Sequence, residues 1–169
     1  MLIRQEKIED HNKTYELIKE AFLSAEHRDG NEQDLVSALR KGTAFIPELS
    51  IVAEVNGELA GHILFTKAKV QSIDVLVLAP LSVKPKFQNK GIGTALVNFG
   101  HSVAVNLGYE YIMVLGSDLY YKRFGYVPAE SLGVEVPENI PSRNFMAVKL
   151  NKNAEPLSGN LIYAKEFGM

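Results

Sequence analysis

Apolar positions follow two periods along this chain, and the changes between them mark its elements. Residues 2–7 read as a short first strand. From about residue 9, Tyr15, Ile18, Phe22 and Leu23 recur three and four apart, which predicts a helix with one apolar face. Residues 25–31 are polar and contain Gly30, so a loop is expected. Its Glu26, His27, Arg28 and Asp29 form either a solvated charge cluster or the rim of a substrate pocket. Leu35, Val36 and Leu39 predict a second helix over residues 32–41, stopped by Gly42. Two strands follow, over 49–55 and 58–69, joined by Asn56-Gly57. That dipeptide favours a type I′ hairpin, whose two central residues both need positive φ. The third strand reaches Val70 and a fourth starts near Ser72.

The rest of the chain is organised around residues 78–94. Val75, Leu76, Val77 and Leu78 form a β-rich run. Pro80 has no N–H for a ladder bond and predicts an edge, a bulge or a break in pairing. Lys84-Pro85-Lys86 ends the strand, and from Gly91 the pattern becomes helical to about Asn106. This helix buries Leu96, Val97, Val103 and Leu107 and ends at Gly108. Residues 109–115 then form a strand, so strand, helix and strand make a crossover unit with a parallel pair. Ser117 or Asp118 caps a short helix that Gly125 terminates. A proline-dotted segment (Pro128, Pro137, Pro141) precedes a strand at 145–150 and a last one near 160–164.

Composition narrows the class. At 169 residues, 46% hydrophobic and 22% charged, the chain is expected to be a soluble, cytoplasmic single domain spanning residues 1–169. A net charge of −2 gives no reason to expect nucleic-acid or membrane binding. With no cysteine there is no disulfide, thiolate metal site or cysteine nucleophile, and no metal is expected.

A glycine-rich turn feeding a helix is built to hold an anion, because the first N–H groups lack internal partners and the macrodipole is positive there. Gly91 and Gly93 remove two Cβ atoms; Thr94 adds a hydroxyl and Lys90 a charge. The turn is neither a Walker loop nor a dinucleotide fingerprint, since Thr94, Ala95 and Leu96 follow the second glycine. A packing role for the two glycines stands beside the phosphate reading.

Gln88-Asn89-Lys90-Gly91-Ile92-Gly93 instead resembles the Q/R-x-x-G-x-G/A loop of the GCN5-related N-acetyltransferase (GNAT) superfamily. Tyr121-Lys122-Arg123-Phe124-Gly125-Tyr126 is similar to the Y-x-x-F-G-F/Y block that lies later in the same family. Leu-Ala-Pro-Leu-Ser-Val at 78–83 and the terminal Gly-Asn-Leu-Ile-Tyr-Ala-Lys-Glu-Phe look most like the YhbS-type group of predicted bacterial acetyltransferases. The resemblance implies a GNAT fold of the α/β class. That fold is a mixed, mostly antiparallel sheet of about seven strands with a parallel pair at the splayed fourth and fifth, flanked by about four helices.

It also implies an acetyl-CoA-dependent N-acetyltransferase, with acetyl-CoA as co-substrate and a primary amine of a small molecule or peptide as acceptor. Leu81, Ser82 and Val83 would pair their backbone with the pantetheine arm. Gln88, Asn89, Lys90, Gly91, Ile92, Gly93 and Thr94 would wrap the pyrophosphate. Tyr121 would protonate the departing thiolate as general acid, Val83 N–H would stabilise the oxyanion, and Phe124 would pack near the cofactor. A homodimer is one assembly seen among such relatives. Members that carry a base have a glutamate on the fourth strand; here that run is apolar, and Glu54, His62, Asp74 or a relayed water stay open. A non-catalytic acyl-CoA-binding sensor is the alternative. Read without the resemblance, Tyr120 and Tyr121 pack on either side of a short helix, His62 is a partly exposed strand residue, and Ser117 and Asp118 are caps.

Overall fold

The computed structural model describes residues 1–23, 25 and 29–168. Its strands are β1 (Leu2–Gln5), β2 (Phe45–Val55), β3 (Glu58–Val70), β4 (Ile73–Val83), β5 (Tyr111–Leu115), β6 (Val127–Pro128), β7 (Phe145–Lys149) and β8 (Leu161–Ile162). The helices are α1 (His11–Leu23), α2 (Glu32–Arg40), α3 (Ile92–Asn106) and α4 (Asp118–Lys122). All eight strands join one sheet, ordered β1-β2-β3-β4-β5-β7-β6, with β8 added to β3. β2 leaves β3 at Phe45, opposite Thr66, and β8 takes over that edge at Lys69 and Val70. Every pairing is antiparallel except β4 with β5, the pair on either side of the α3 crossover.

The expected mixed sheet with its parallel pair is present, with one strand more than anticipated. β6 is only two residues long and lies in the proline-dotted segment. Asn56 and Gly57 both have positive φ, 52° and 80°, as a type I′ turn requires. β2 begins four residues before the expected Leu49, carrying Pro47 through a register shift between Phe45 and Ser50. Gly108, at φ 89°, reverses the chain after α3, so β5 starts at Tyr111 and not Tyr109. Leu107 becomes the C-cap of α3 and is 41% exposed, contrary to its expected burial. Leu23, at the end of α1, is also exposed.

Alternation along the strands divides the core. Leu17 and Ile18 of α1 and Val36 and Leu39 of α2 pack on Val52 and Leu64. On the opposite face, Ile92, Leu96 and Val97 of α3 pack on Ile63, Phe65, Leu76 and Leu78. No helix among the described residues is long and apolar enough to cross a membrane.

Candidate active site

β4 and β5 pair at Leu76–Ile112 and Val77–Met113 and then separate. The cause is visible on the other side of β4. Leu78 faces Phe65 and Leu81 faces Ile63, which leaves Ala79 and Pro80 both opposite Leu64. This bulge bends β4 away from β5, and Pro80, without an N–H, fits the break. Lys84 N donates to Ala60 O at 2.9 Å, which makes Ser82–His62 a hydrogen-bonded pair and Leu81–Ile63 and Val83–Gly61 non-bonded ones. The N–H groups of Leu81 and Val83 therefore point away from β3, into the gap toward β5. Ser82 differs from expectation: its backbone pairs with His62, and its side chain is buried on the α1–α2 face with an unpartnered Oγ.

The loop after β4 ends at Gly91, the N-cap of α3, in left-handed conformation at φ 84°. Asn89 also has positive φ. The first intrahelical bond runs from Ala95 N to Gly91 O, so the N–H groups of Ile92, Gly93 and Thr94 precede the ladder, and no side chain caps them. Ile92 contributes only its amide, because its side chain is in the core against Gly61. The Gln88 side chain turns back to donate to Val83 O at 3.1 Å. Lys90 stands 6.0 Å over the Phe87 ring.

Ser117, not Asp118, caps α4: its Oγ accepts from Tyr120 N at 3.2 Å. The helix presses Tyr121, 8% exposed, against Gly116, where an added Cβ would lie 2.7 Å from the ring. Tyr126 meets it edge-on at 5.5 Å and is itself held by His101 Nε2 at 2.9 Å from its hydroxyl. Phe124 closes the cluster, 6.5 Å from Tyr121 and 5.5 Å from Tyr120. Burial, and to a lesser degree Tyr120, push the Tyr121 phenol well above its ordinary pKa, so it stays a proton donor at neutral pH.

The splayed end of β4 and Tyr121 border a cavity of about 660 Å³. Leu78, Pro80 and Leu81 form one side of the gap, Val114 and Gly116 the other, and Tyr121 reaches it from below. The far wall comes from α2 and the C-terminal segment, with Asp34, Leu35, Tyr163, Glu166 and Phe167. Four carboxylates (Asp29, Glu32, Asp34, Glu166) and no lysine or arginine line it among the described residues. Tyr15 donates to Asp34 at 2.8 Å, and Glu32 accepts from the backbone N–H of Asp29 and Gly30.

The expected rim loop thus contributes Asp29, while Glu26, His27 and Arg28 lie outside the described residues. Asp34, Tyr163, Glu166 and Phe167 were not anticipated as walls. The terminal motif held the last three, but only the pairing of β8 with β3 carries that segment to the gap.

None of the three named base candidates lines the cavity. Glu54 is bound by Arg4 at 2.8 Å, and Asp74 is exposed and paired with Lys69 at the far end of β4. His62 is fully buried, not partly exposed, with its Nε2 3.0 Å from Ser50 Oγ. Burial pulls its pKa down to about 4.

Comparison with known proteins agrees with this geometry. The profile of the acetyltransferase (GNAT) family matches residues 11–126. The Escherichia coli K12 protein named as the N-acetyltransferase YjhQ is 34% identical over 138 residues, covering 77% of this chain and 76% of its own. The crystal structure of the E. coli GNAT N-acetyltransferase YhbS in complex with CoA superposes with a TM-score of 0.89 at 27% identity, over 99% of this chain and 92% of the other. A GNAT acetyltransferase from Brucella melitensis in complex with acetyl-CoA gives 0.82 at 27% identity, over 98% and 97%. With most of its length matched by the family profile and by a relative above 30% identity, this chain belongs to the GNAT family of acetyltransferases.

Proposed function

We propose that the protein transfers the acetyl group of acetyl-CoA to a primary amine of a small molecule or peptide, by direct attack while both substrates are bound. The observation that carries this reading is the cavity at the β4–β5 gap. It joins the Tyr121 phenol, the N–H of Leu81 turned away from β3, and a carboxylate-lined wall. The residues present fit acetyl-CoA. The amides of Ile92, Gly93 and Thr94 and the left-handed Gly91 would receive its pyrophosphate, and the backbone of Leu81 and Val83 its pantetheine arm.

Acetyl-CoA supplies an activated acyl thioester. Val83 N–H donates toward the acyl oxygen, where charge builds during transfer. Tyr121 donates its O–H to the leaving sulfur, which takes up the proton as the C–S bond breaks. No side chain forms a bond to the acyl group, in keeping with a chain that has no cysteine. The carboxylate wall concentrates a cationic acceptor in the cavity. Asp34 and Glu166 are the cavity groups available to receive its proton, directly or through water.

Calorimetric titration of acetyl-CoA, with dephospho-CoA and ATP as comparators, tests the cofactor half of this reading. The protein should bind acetyl-CoA, and Gly91→Asp should abolish binding, because a carboxylate repels phosphate and a side chain strains the positive φ. In an amine-library assay for thiol release, Tyr121→Phe should lower kcat about 100-fold with little change in KM for acetyl-CoA. Binding without release from any amine would favour the sensor reading, and absence of binding would end both.

A further inference from the structure

Tyr120 adjoins Tyr121 in α4 but serves a different part of the cleft. The two rings meet edge-on, with centroids 5.1 Å apart and planes at 81°. Tyr121 lies against Gly116 at the cavity. The Tyr120 hydroxyl instead reaches the first turn of α3, where a Cβ built on Gly93 would lie 2.5 Å from it and 3.9 Å from Leu81 Cδ2. Gly93 is not among the glycines with positive φ, so its backbone tolerates other residues. What requires glycine there is the space filled by the phenol.

The ring is fixed from its other side. The Arg123 guanidinium stacks 4.4 Å from the Tyr120 ring centroid, and Arg123 Nε donates to Tyr120 O at 3.2 Å. Arg123 forms no ion pair among the described residues, whereas Lys84 and Lys86 are both held by Glu58. A phenol donor backed by an unpaired cation thus sits where the splayed end of β4 meets the uncapped amides of α3. Burial outweighs Arg123 and raises the phenol's pKa, so its proton is retained at neutral pH.

Building on the acetyl-CoA reading, we propose that Tyr120 is a cofactor-binding residue. Its hydroxyl donates to a pyrophosphate oxygen held by the α3 amides, and Arg123 adds charge behind the same ring. The short helix α4 then grips the cofactor at two points: Tyr121 at the sulfur end of the arm and Tyr120 at the phosphate end. A phenol–phosphate bond is charge-assisted, so its loss should be readily measured.

The test is acetyl-CoA binding by calorimetry to Tyr120→Phe, which keeps the ring and its stack on Arg123 and removes only the hydroxyl. Kd should rise roughly tenfold, with the thermal unfolding midpoint unchanged. The ³¹P resonances of the bound pyrophosphate should move between wild type and variant. Arg123→Gln should flatten the salt dependence of Kd. If Tyr120→Phe binds within about twofold of wild type, or the ³¹P spectrum does not move, Tyr120 is a packing residue and the proposal is overturned. Wild type failing to bind acetyl-CoA would instead remove the functional reading on which the proposal rests.

Discussion

The two faces of β3 and β4 are made from alternate residues of the same strands, and both are apolar at their centres, but only one also buries polar groups. Toward α3 the strands present Ile63, Phe65, Leu76 and Leu78, with Leu81 and Val83 continuing past the bulge. α3 lies close on this face because Gly100 and Gly61 offer no side chain; a Cβ on Gly100 would be 2.2 Å from the Phe65 ring. Toward α1 and α2 the same strands bury His62, Thr66 and Ser82, and β2 adds Ser50. Glu6 joins them, accepting from Ser50 at 2.8 Å and from Arg40 at 2.7 Å. His62 Nδ1, Thr66 Oγ1 and Ser82 Oγ have no hydrogen-bond partner among the described residues.

The apolar face sets the position of α3 and hence of the Gly91 turn and of Gly93, on which Tyr120 packs. His62, Thr66, Ser82, Ser50 and Glu6 do not line the cavity, so their role is in stability. It depends on pairing, since a buried charge without its partner is costly.

The largest effect expected from breaking this contrast is on the apolar side. Phe65→Ala empties a fully buried ring site beneath Gly100 and should cost about 4 kcal/mol in denaturant unfolding. Acetyl-CoA affinity should fall with it as α3 shifts. A smaller loss, about 3 kcal/mol, is expected for Arg40→Met, which leaves the Glu6 carboxylate buried without its cation. Here the affinity of folded protein for acetyl-CoA should be unchanged, and a parallel loss would show that the two faces are coupled.

The third prediction is a pH effect confined to the polar face. The folded pKa of His62 is about 4, below its ordinary value of 6.5, so the unfolded chain binds the extra proton first. Its contribution is complete above pH 6.5 and is lost as pH falls toward 4, by up to about 3 kcal/mol. Burial alone would raise the Glu6 carboxyl, but His62 once it is charged, and Arg40 by its charge and hydrogen bonds, hold it below the usual range. Glu6 therefore adds a further loss below about pH 4.5. Unfolding measured from pH 7 to 4 should show this slope, and His62→Gln should flatten its upper part. A variant with the same slope would assign the acid limb to other groups.

Much of the site was legible in one dimension because its parts are local. The Pro80 break, the Gly91 turn opening a helix, and Tyr121 in a short capped helix each rest on backbone rules spanning a few residues. Three features were not legible. Ser82 sits between two residues that face the gap, but register with His62 turns its backbone away. His62 lies in an apolar run whose pattern says nothing about burial, and its partners Glu6 and Ser50 are 56 and 12 positions away. Asp34, Tyr163 and Glu166 share the cavity only because β8 docks where β2 ends.

The sequence by itself determined the order of elements, the hairpin at Asn56-Gly57, the parallel crossover around α3 and the glycine turn that opens it. Hydrophobic period and turn chemistry act over short distances, where side-chain identity dictates φ and ψ directly. The tertiary structure alone decided which wall faces the gap, that Tyr121 packs on Gly116 while Tyr120 reaches Gly93, and which strand residues are buried polar. Those depend on register and strand exchange across the sheet, where a shift of one residue reverses the direction of every side chain.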